Sequence, residues 1–343
     1  MNAPDRRRQA SSIPAAADRD ARAVPVDLRR LRLYSARRRR HLAGAESAGG
    51  TPPAGATFRE WLDALPDQLG ARWLRAAADA VIAARRAGRP VAMAMGGHVV
   101  KVGCGPVVID LMRRGLVTAV AVHGATAIHD VELAMLGATS EDVGENLRSG
   151  RFGMVRETMT FFADAVRLAR RRGIGYGRAV GRLVLDRRLP HAGLSMLAAA
   201  AELDLPATIH AAIGTDTVHM FAGIDGAALG EATLRDFRLA CGVVRAMGAR
   251  RRGGPCGVWF NIGSAVLLPE VFLKTVAVAR NLGARLDGLT TVNMDMIRHY
   301  RPARNVVGRP VAPGRGLDLC GHHEIMLPLL RQAIVERAAG AGG

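Results

Sequence analysis

Two apolar runs set the frame of the chain. VAMAM (91–95) and LVTAVAV (116–122) lack polar alternation, which reads as parallel strands covered on both faces. Each ends in glycines: Gly96-Gly97, then Gly103 and Gly105, after the first, and Gly124 after the second. Between them Pro106 sits where a first helical turn tolerates proline, VVIDLMRR follows with helical spacing, and Gly115 suits the C′ position. Strand, turn, helix, strand is a βαβ unit, and ligands of open α/β sheets bind where such strands end. Strands resume at 207–214, 256–263 and 286–295, each reaching a polar or glycine turn: Thr215-Asp216, Gly263-Ser264 and Asn293-Met294-Asp295. Helices at 229–247 and 266–282 intervene. The alternation predicts a doubly wound, mostly parallel α/β sheet.

Around this frame, Phe58, Trp61, Leu62, Leu65, Leu69, Trp73 and Leu74 recur at helical spacing, with a break near Pro66. Residues 131–204 read as a longer helical stretch in which Ser140 resembles an N-cap. Arg170–Arg172 fall at a helix end. HYRPARNVVGRPVAPGRGLDLCGHHE (299–324) reads as one long proline-rich loop before a last helix, 325–339. The domain reading is a basic disordered tail and linker over 1–56, with 26–41 able to form a short basic helix, and a single α/β domain over 57–338.

Composition removes several function classes. The 4 cysteines are scattered without a CxxC pair, which argues against a disulfide scaffold or structural zinc and suits a cytoplasmic protein. No apolar run is long enough to span a membrane and no signal-peptide core is present, so a membrane is not an expected partner. The net charge of +18 suggests nucleic acid, but residues 1–41 alone hold 12 Arg against 4 Asp, and aromatics make up only 4%. That leaves too few rings for a base-stacking platform, and nucleic acid is not expected either.

The glycine turns match neither GxGxxG nor GxxxxGK[ST]. His98, His123, His129, His210, His219, His322 and His323 collect near strand ends and the long loop, with Asp130, Asp216, Asp295 and Glu324. They leave a metal-dependent hydrolase open as an alternative, although no HExxH occurs and no metal ligand set is assigned. Cys104, in a glycine turn, is either a thiol nucleophile or a small buried residue. Lys101 stands out because only it and Lys274 break an otherwise arginine-only cation set. Only lysine forms a Schiff base.

GGHVVKVGCGPVVIDLMRRG, HGATAIHDVELAMLGAT, IHAAIGTDTVHM, DGAALGEATLRDF, FNIGSAVLLPEVFLK, TTVNMDMIRHYRP and GHHEIMLPLL together resemble the deoxyhypusine synthase family, in its bacterial deoxyhypusine synthase-like branch. The resemblance covers about residues 90–336. It implies a Rossmann-like NAD-binding fold, a homotetramer with sites at dimer interfaces, and oxidation of an amine by NAD followed by aminobutyl transfer. Carried over, the first NAD loop falls on Val99, Val100 and Gly103, and the second on Gly124, Ala125 and Thr126. The acidic pair falls on His129 and Asp130, and an NAD-contacting aspartate on Asp216. Further cofactor positions are Gly263 and Ser264, Thr291 and Val292, and His322 and His323. The family's nucleophilic lysine, in a Trp-Gly-Lys motif, has no counterpart in RHYRPARNVVGRPVAPGRG. Either Lys101 replaces it or a free amine captures the imine directly.

The expectation is therefore an NAD-dependent transferase moving an aminoalkyl group between small polyamines. Lys101, His129, Asp130 and His219 are its candidate catalytic residues, with His129 or His219 as base. Glu132, Asp295 and Glu324 are candidate carboxylates for the cationic substrate. The remaining alternative is a non-catalytic protein that binds NAD or polyamines.

Overall fold

A computed structural model describes residues 25–340, so most of the basic tail lies outside the described residues. The chain divides into two units, Met1–Gly44 and Ala45–Gly343. In the first, residues 25–44 are exposed and form only two three-residue 3-10 turns, Leu28–Arg30 and Ala36–Arg38. Asp27 and Ser35 cap them through the N–H groups of Arg29 and Arg37. The basic helix considered for 26–41 does not form, because no apolar stripe is there to bury.

In the second unit β1 (Val91–Met95), β2 (Ala119–His123), β3 (Ala207–His210), β4 (Val258–Ile262), β5 (Thr290–Asp295) and β6 (Gly316–Cys320) make one sheet. All neighbours are parallel, in the order β3-β2-β1-β4-β5-β6. This is the doubly wound, Rossmann-like order, with its reversal between β1 and β4. Before β1 come α1 (Phe58–Ala64) and α2 (Leu69–Arg86). The β1–β2 crossover holds α3 (Gly97–Lys101) and α4 (Gly105–Arg113). Between β2 and β3 lie α5 (Gly124–Leu136), α6 (Val143–Arg148), α7 (Arg156–Arg172), α8 (Tyr176–Asp186) and α9 (Met196–Glu202). Then follow α10 (Gly226–Ala246), α11 (Leu267–Asn281), the short α12 (Tyr300–Pro302) running into a π-helical turn at Ala303–Gly308, and α13 (His323–Ala339).

Alternation along the strands separates two cores. Met93, Met95, Val120, Val122, Phe260 and Ile262 face a cluster shared with Leu74 and Val81 of α2, Val108 of α4 and Leu330 of α13. Ala92, Ala94, Ala119 and Ala121 face the other side, with Val244 of α10 and Leu268, Phe272 and Val276 of α11. Small alanines leave room there for the ring of Trp259, which stacks on Phe272 at 4.6 Å between centroids and 17° between planes. Such a pair adds about 1 kcal/mol to the burial itself.

Three local readings change. Asp142, not Ser140, caps α6: its carboxylate accepts the Glu145 N–H at 3.0 Å, while Ser140 is turned away in a left-handed conformation, φ +74°. The proline-rich segment is not one loop. GLDLC inside it forms the edge strand β6, with Leu317 and Leu319 buried on its inner face. Residues 45–56 are not a free linker, since Gly50 N–H bonds the Ala64 carbonyl at 2.8 Å and Ser47 accepts from Asp67 N–H at 3.0 Å.

Candidate active site

The carboxyl ends of β1 and β2 launch α3 and α5, and these two helices bring the first group of site residues together. A cavity of about 500 Å³ opens beside them. Ala125, Ile128, His129, Glu132 and Leu136 line it at three- and four-residue spacing, so one face of α5 forms its floor. Lys101 enters from the end of α3, Thr139 and Glu141 from the turn after α5, and Thr158 from the start of α7.

Glu132 is held by two hydroxyls, Thr139 Oγ1 donating at 2.5 Å and Thr158 Oγ1 at 3.0 Å. Because the Thr139 proton goes to Glu132, its oxygen is left to accept from His129 Nδ1 at 2.8 Å. His129 therefore carries its proton on Nδ1 and presents a bare Nε2. Burial, reinforced by the nearby charge of Lys101, pushes its pKa down to about 4, so the ring is neutral at neutral pH. Glu141 accepts from Gly153 N–H at 2.7 Å and Asn146 Nδ2 at 2.8 Å, fixing the loop that walls the cavity. Lys101 is exposed and forms no ion pair among the described residues. One lysine against two glutamates leaves the cavity acidic within a chain of net charge +18.

Other predicted residues lie elsewhere. Asp130 faces away from the cavity and is 1% exposed. It accepts from Ser195 Oγ at 2.5 Å, Met196 N–H at 2.8 Å and Leu197 N–H at 3.3 Å, so it ties α5 to the start of α9. Burial raises its pKa to about 6 against those bonds. The catalytic role expected of Asp130 is corrected to a structural one. His219 is half-buried as a residue, its side chain 7% exposed, with both ring nitrogens unpartnered and Nε2 3.7 Å from Asp216 Oδ2. It lies outside the residues that line the cavity.

NAD is the cofactor that the resemblance implies, and the thirteen positions carried over for it separate into groups. Val99 and Val100 are 0% and 2% exposed, with side chains in the core. Thr291 and Val292 sit in the middle of β5, opposite Gly316 and Leu317, short of the strand's carboxyl end; Thr291 Oγ1 donates to the Val306 carbonyl at 2.7 Å. Those four side chains are unavailable to a ligand. Gly124 is backed by Asp216: a Cβ there would lie 1.9 Å from Asp216 Oδ2. The Asp216 carboxylate therefore stands against the start of α5, where the second NAD loop was placed. Burial raises its pKa, with His219 opposing. Thr126 is buried with its hydroxyl on the Met95 carbonyl at 3.0 Å, leaving Ala125 of that turn to line the cavity.

The strand-order reversal offers a better fit. A Cβ on Gly96 would lie 1.9 Å from the Gly263 carbonyl oxygen, so the turns after β1 and β4 meet backbone to backbone there. Gly103, φ +77°, lies in open space. Ser264 is buried and accepts from Leu268 N–H at 3.3 Å. His98 and His323 stand at this crevice with Nδ1 atoms 3.0 Å apart, and Asp295, at the carboxyl end of β5, lies 4.0 Å from His323 Nε2. Gly96, Gly97 and Gly263 are thus required by packing against the Gly263 carbonyl, the His129 ring and the His323 ring, at the strand-order reversal where doubly wound sheets open a crevice. His322 and Glu324 are exposed and face each other at 3.7 Å. Cys104 is buried, its thiol on the His323 carbonyl at 3.5 Å and its pKa raised by burial, which suits a packed residue and not a nucleophile.

Thr139, Glu141, Thr158 and the pairing of His98 with His323 are what the sequence reading missed. The GATSED turn contains the first two, but only the fold shows that they close over α5. Among the described residues no three His, Cys, Asp or Glu side chains group to hold a metal ion, so the hydrolase alternative gains no support from their arrangement. A second cavity, about 440 Å³ beside Arg252, Arg285 and Arg315, opens at the amino ends of β4–β6 and holds none of the expected site residues. Among the described residues no helix is long and apolar enough to cross a membrane.

No protein-family model and no curated protein matches the chain. Solved structures do. AgrE, in its ternary complex with ornithine and NAD+, is 14% identical with a TM-score of 0.48, over 78% of this chain and 33% of AgrE. ArgZ, an arginine dihydrolase from the ornithine-ammonia cycle in cyanobacteria, is 15% identical with a TM-score of 0.47, over 79% and 34%. A candidate deoxyhypusine synthase from Entamoeba histolytica is 10% identical with a TM-score of 0.49, over 84% and 96%. The chain spans about a third of the length of AgrE and ArgZ. Likenesses this loose carry nothing about the site, which stands on its own geometry.

Proposed function

We propose that this chain is an enzyme that transfers an aminoalkyl group between small amines with NAD as cofactor, through an imine on Lys101. The observation that carries the reading is the unpaired Lys101 opening into an acidic cavity beside a neutral histidine. Backbone at Gly96, Gly97, Gly103 and Gly263 would hold the cofactor. NAD, when bound, supplies the acceptor and later the donor of the hydride that amine oxidation and imine reduction exchange.

The chain's own residues do the rest. Glu132 and Glu141 attract the ammonium groups of a polyamine, and the hydroxyls of Thr139 and Thr158 keep Glu132 from turning away. His129 Nε2 accepts a hydrogen bond from the reacting nitrogen. Lys101 Nζ attacks the iminium carbon; the Nζ–C bond forms, the bond to the departing amine breaks, and that amine leaves with a proton. An acceptor amine then reverses the exchange, freeing Lys101 for another turn. Arginine could not replace it, since a guanidinium stays protonated.

The test is to incubate the protein with NAD and spermidine, putrescine or agmatine under cyanoborohydride, and map the modified peptide by mass spectrometry. An aminoalkyl adduct on Lys101 that needs both NAD and amine is expected, and it should vanish in Lys101→Arg. Wild-type protein that binds NAD yet forms neither adduct nor new amine would overturn the reading in favour of a non-catalytic binder.

A further inference from the structure

The proposed reaction needs an amine without its extra proton, and the cavity itself has no group fit to keep that proton. His129, with a pKa of about 4 beside Lys101, returns a proton to solvent at neutral pH. A useful base works near ambient pH. At the crevice between the ends of β1 and β4 stands a pair formed by residues 225 positions apart. His323, at the start of α13, is 0% exposed, with Nε2 3.4 Å from the Met294 carbonyl. A carbonyl only accepts, so Nε2 of His323 is the protonated nitrogen and its Nδ1 is a lone pair. His98 Nδ1, 3.0 Å away, must then be the donor. His98 is left with Nε2 unprotonated and without a hydrogen-bond partner among the described residues. It lies three residues before Lys101 on α3, the spacing that places side chains on neighbouring parts of one face.

We propose that His98 is the proton acceptor of the amine site and that His323 is its positioning residue. This rests on the amine-transfer reading and assigns its missing base. The N–H bond of an incoming ammonium breaks, the Nε2–H bond of His98 forms, and His98 becomes an imidazolium whose Nδ1–H stays on His323. Asp295 from β5 and Glu324 from α13 favour the charged form of His323; Cys104, from the turn before α4, packs its thiol on the His323 carbonyl, and Lys101 follows His98 by three residues on α3. Asp295, 4.0 Å from His323 Nε2, offsets the charge gained when His98 is protonated. Cys104 and Gly263 pack on His323, the latter leaving only 2.9 Å between a would-be Cβ and His323 Cε1, so the positioning ring cannot swing away.

Two measurements test it. Nitrogen-15 NMR of histidine-labelled full-length protein should show His98 as the Nδ1–H tautomer and His323 as the Nε2–H tautomer; His98 protonated on Nε2 at neutral pH would overturn the assignment. In the amine-oxidation assay, His98→Ala should lose about a hundredfold in kcat, the scale of a lost base, and added imidazole should restore part of it. Wild-type kcat in His98→Ala would overturn the proposal, as would a loss that imidazole cannot repair in a variant whose melting temperature is unchanged. If wild-type protein oxidises no amine, the transfer reading falls, while the tautomers still decide whether His98 is a bare base.

Discussion

Asp236 gives the sharpest quantitative expectation, because it is fully buried and none of its neighbours is a cation. On α10, its Oδ2 accepts from Ile209 N–H at 2.7 Å and Gly177 N–H at 2.8 Å, pinning β3 and α8 together, while Oδ1 has no partner. Burial outweighs these bonds and pushes its pKa up to about 7. The folded protein therefore keeps a proton that the unfolded chain releases near pH 4. The neutral acid stabilises the fold fully at low pH, and that contribution is lost as pH rises from about 4 to 7. Three pH units at about 1.4 kcal/mol each come to roughly 4 kcal/mol. Asp236→Asn keeps an acceptor for the two N–H groups and cannot ionise. Buried histidines contribute to the curves of both proteins: His123, His129 and His210, pushed down to about 4, add stability as pH rises from 4 towards 6.5. They cancel in the difference between wild type and Asp236→Asn. Urea unfolding of both proteins from pH 4 to 8 should show the variant gaining about 4 kcal/mol on the wild type across that range. About 1 kcal/mol of it should fall between pH 6.5 and 8, where those histidines no longer titrate. A flat difference curve would refute the reasoning, since it would mean that Asp236 is ionised in the fold at pH 4.

Two further outcomes follow from the site. Gly96→Ala places a methyl 1.9 Å from the Gly263 carbonyl, with backbone on both sides, so urea unfolding should show a loss of about 3 kcal/mol or more; a loss below about 0.5 kcal/mol would mean that β1 and β4 part freely at their ends. Glu132→Gln removes the charge but keeps one acceptor oxygen for one of the two threonine hydroxyls, while its amide nitrogen faces the other, which can turn to accept. Calorimetry with spermidine should show Kd rising about tenfold, or roughly 1.4 kcal/mol; an unchanged Kd would remove Glu132 from the amine site.

What the sequence could show depended on range. β1 and β2 are nearly continuous apolar runs because helices cover both faces, and β3 to β5, buried throughout, carry enough β-branched and apolar residues between turn residues for a local pattern to find them. β6 is an edge strand of five residues set between Gly314 and Gly321, and flanking turn residues conceal it. His129 and Asp130 look like one acidic-site pair in the sequence. On a helix, adjacent residues point about 100° apart, so His129 reaches the cavity while Asp130 meets α9 on the other side. Thr291 and Val292 fall in the middle of β5 with buried side chains for a similar reason, since a motif carried over by sequence says nothing of how far along its strand it falls. Lys101 stood out from composition alone, because its side-chain chemistry differs from that of every arginine around it, and the fold sets it at the cavity wall. The pairing of His98 with His323 was not, because no local signal links α3 to α13.

α3 explains why both halves of the site sit so close. It has five residues, Gly97–Lys101, and its two valines, Val99 and Val100, are buried against the core. That anchoring leaves His98 and Lys101 as its polar side chains. Gly97 lets it lie against the His129 ring, where a would-be Cβ comes within 3.1 Å of His129 Cδ2. One short element thus carries Lys101, the nitrogen proposed to form the imine, together with the bare imidazole of His98 and the contact to the cavity histidine. Any shift of α3 would disturb the three together. Substitutions at Val99 or Val100 that leave the fold intact should therefore lower turnover without touching a single polar group of the site.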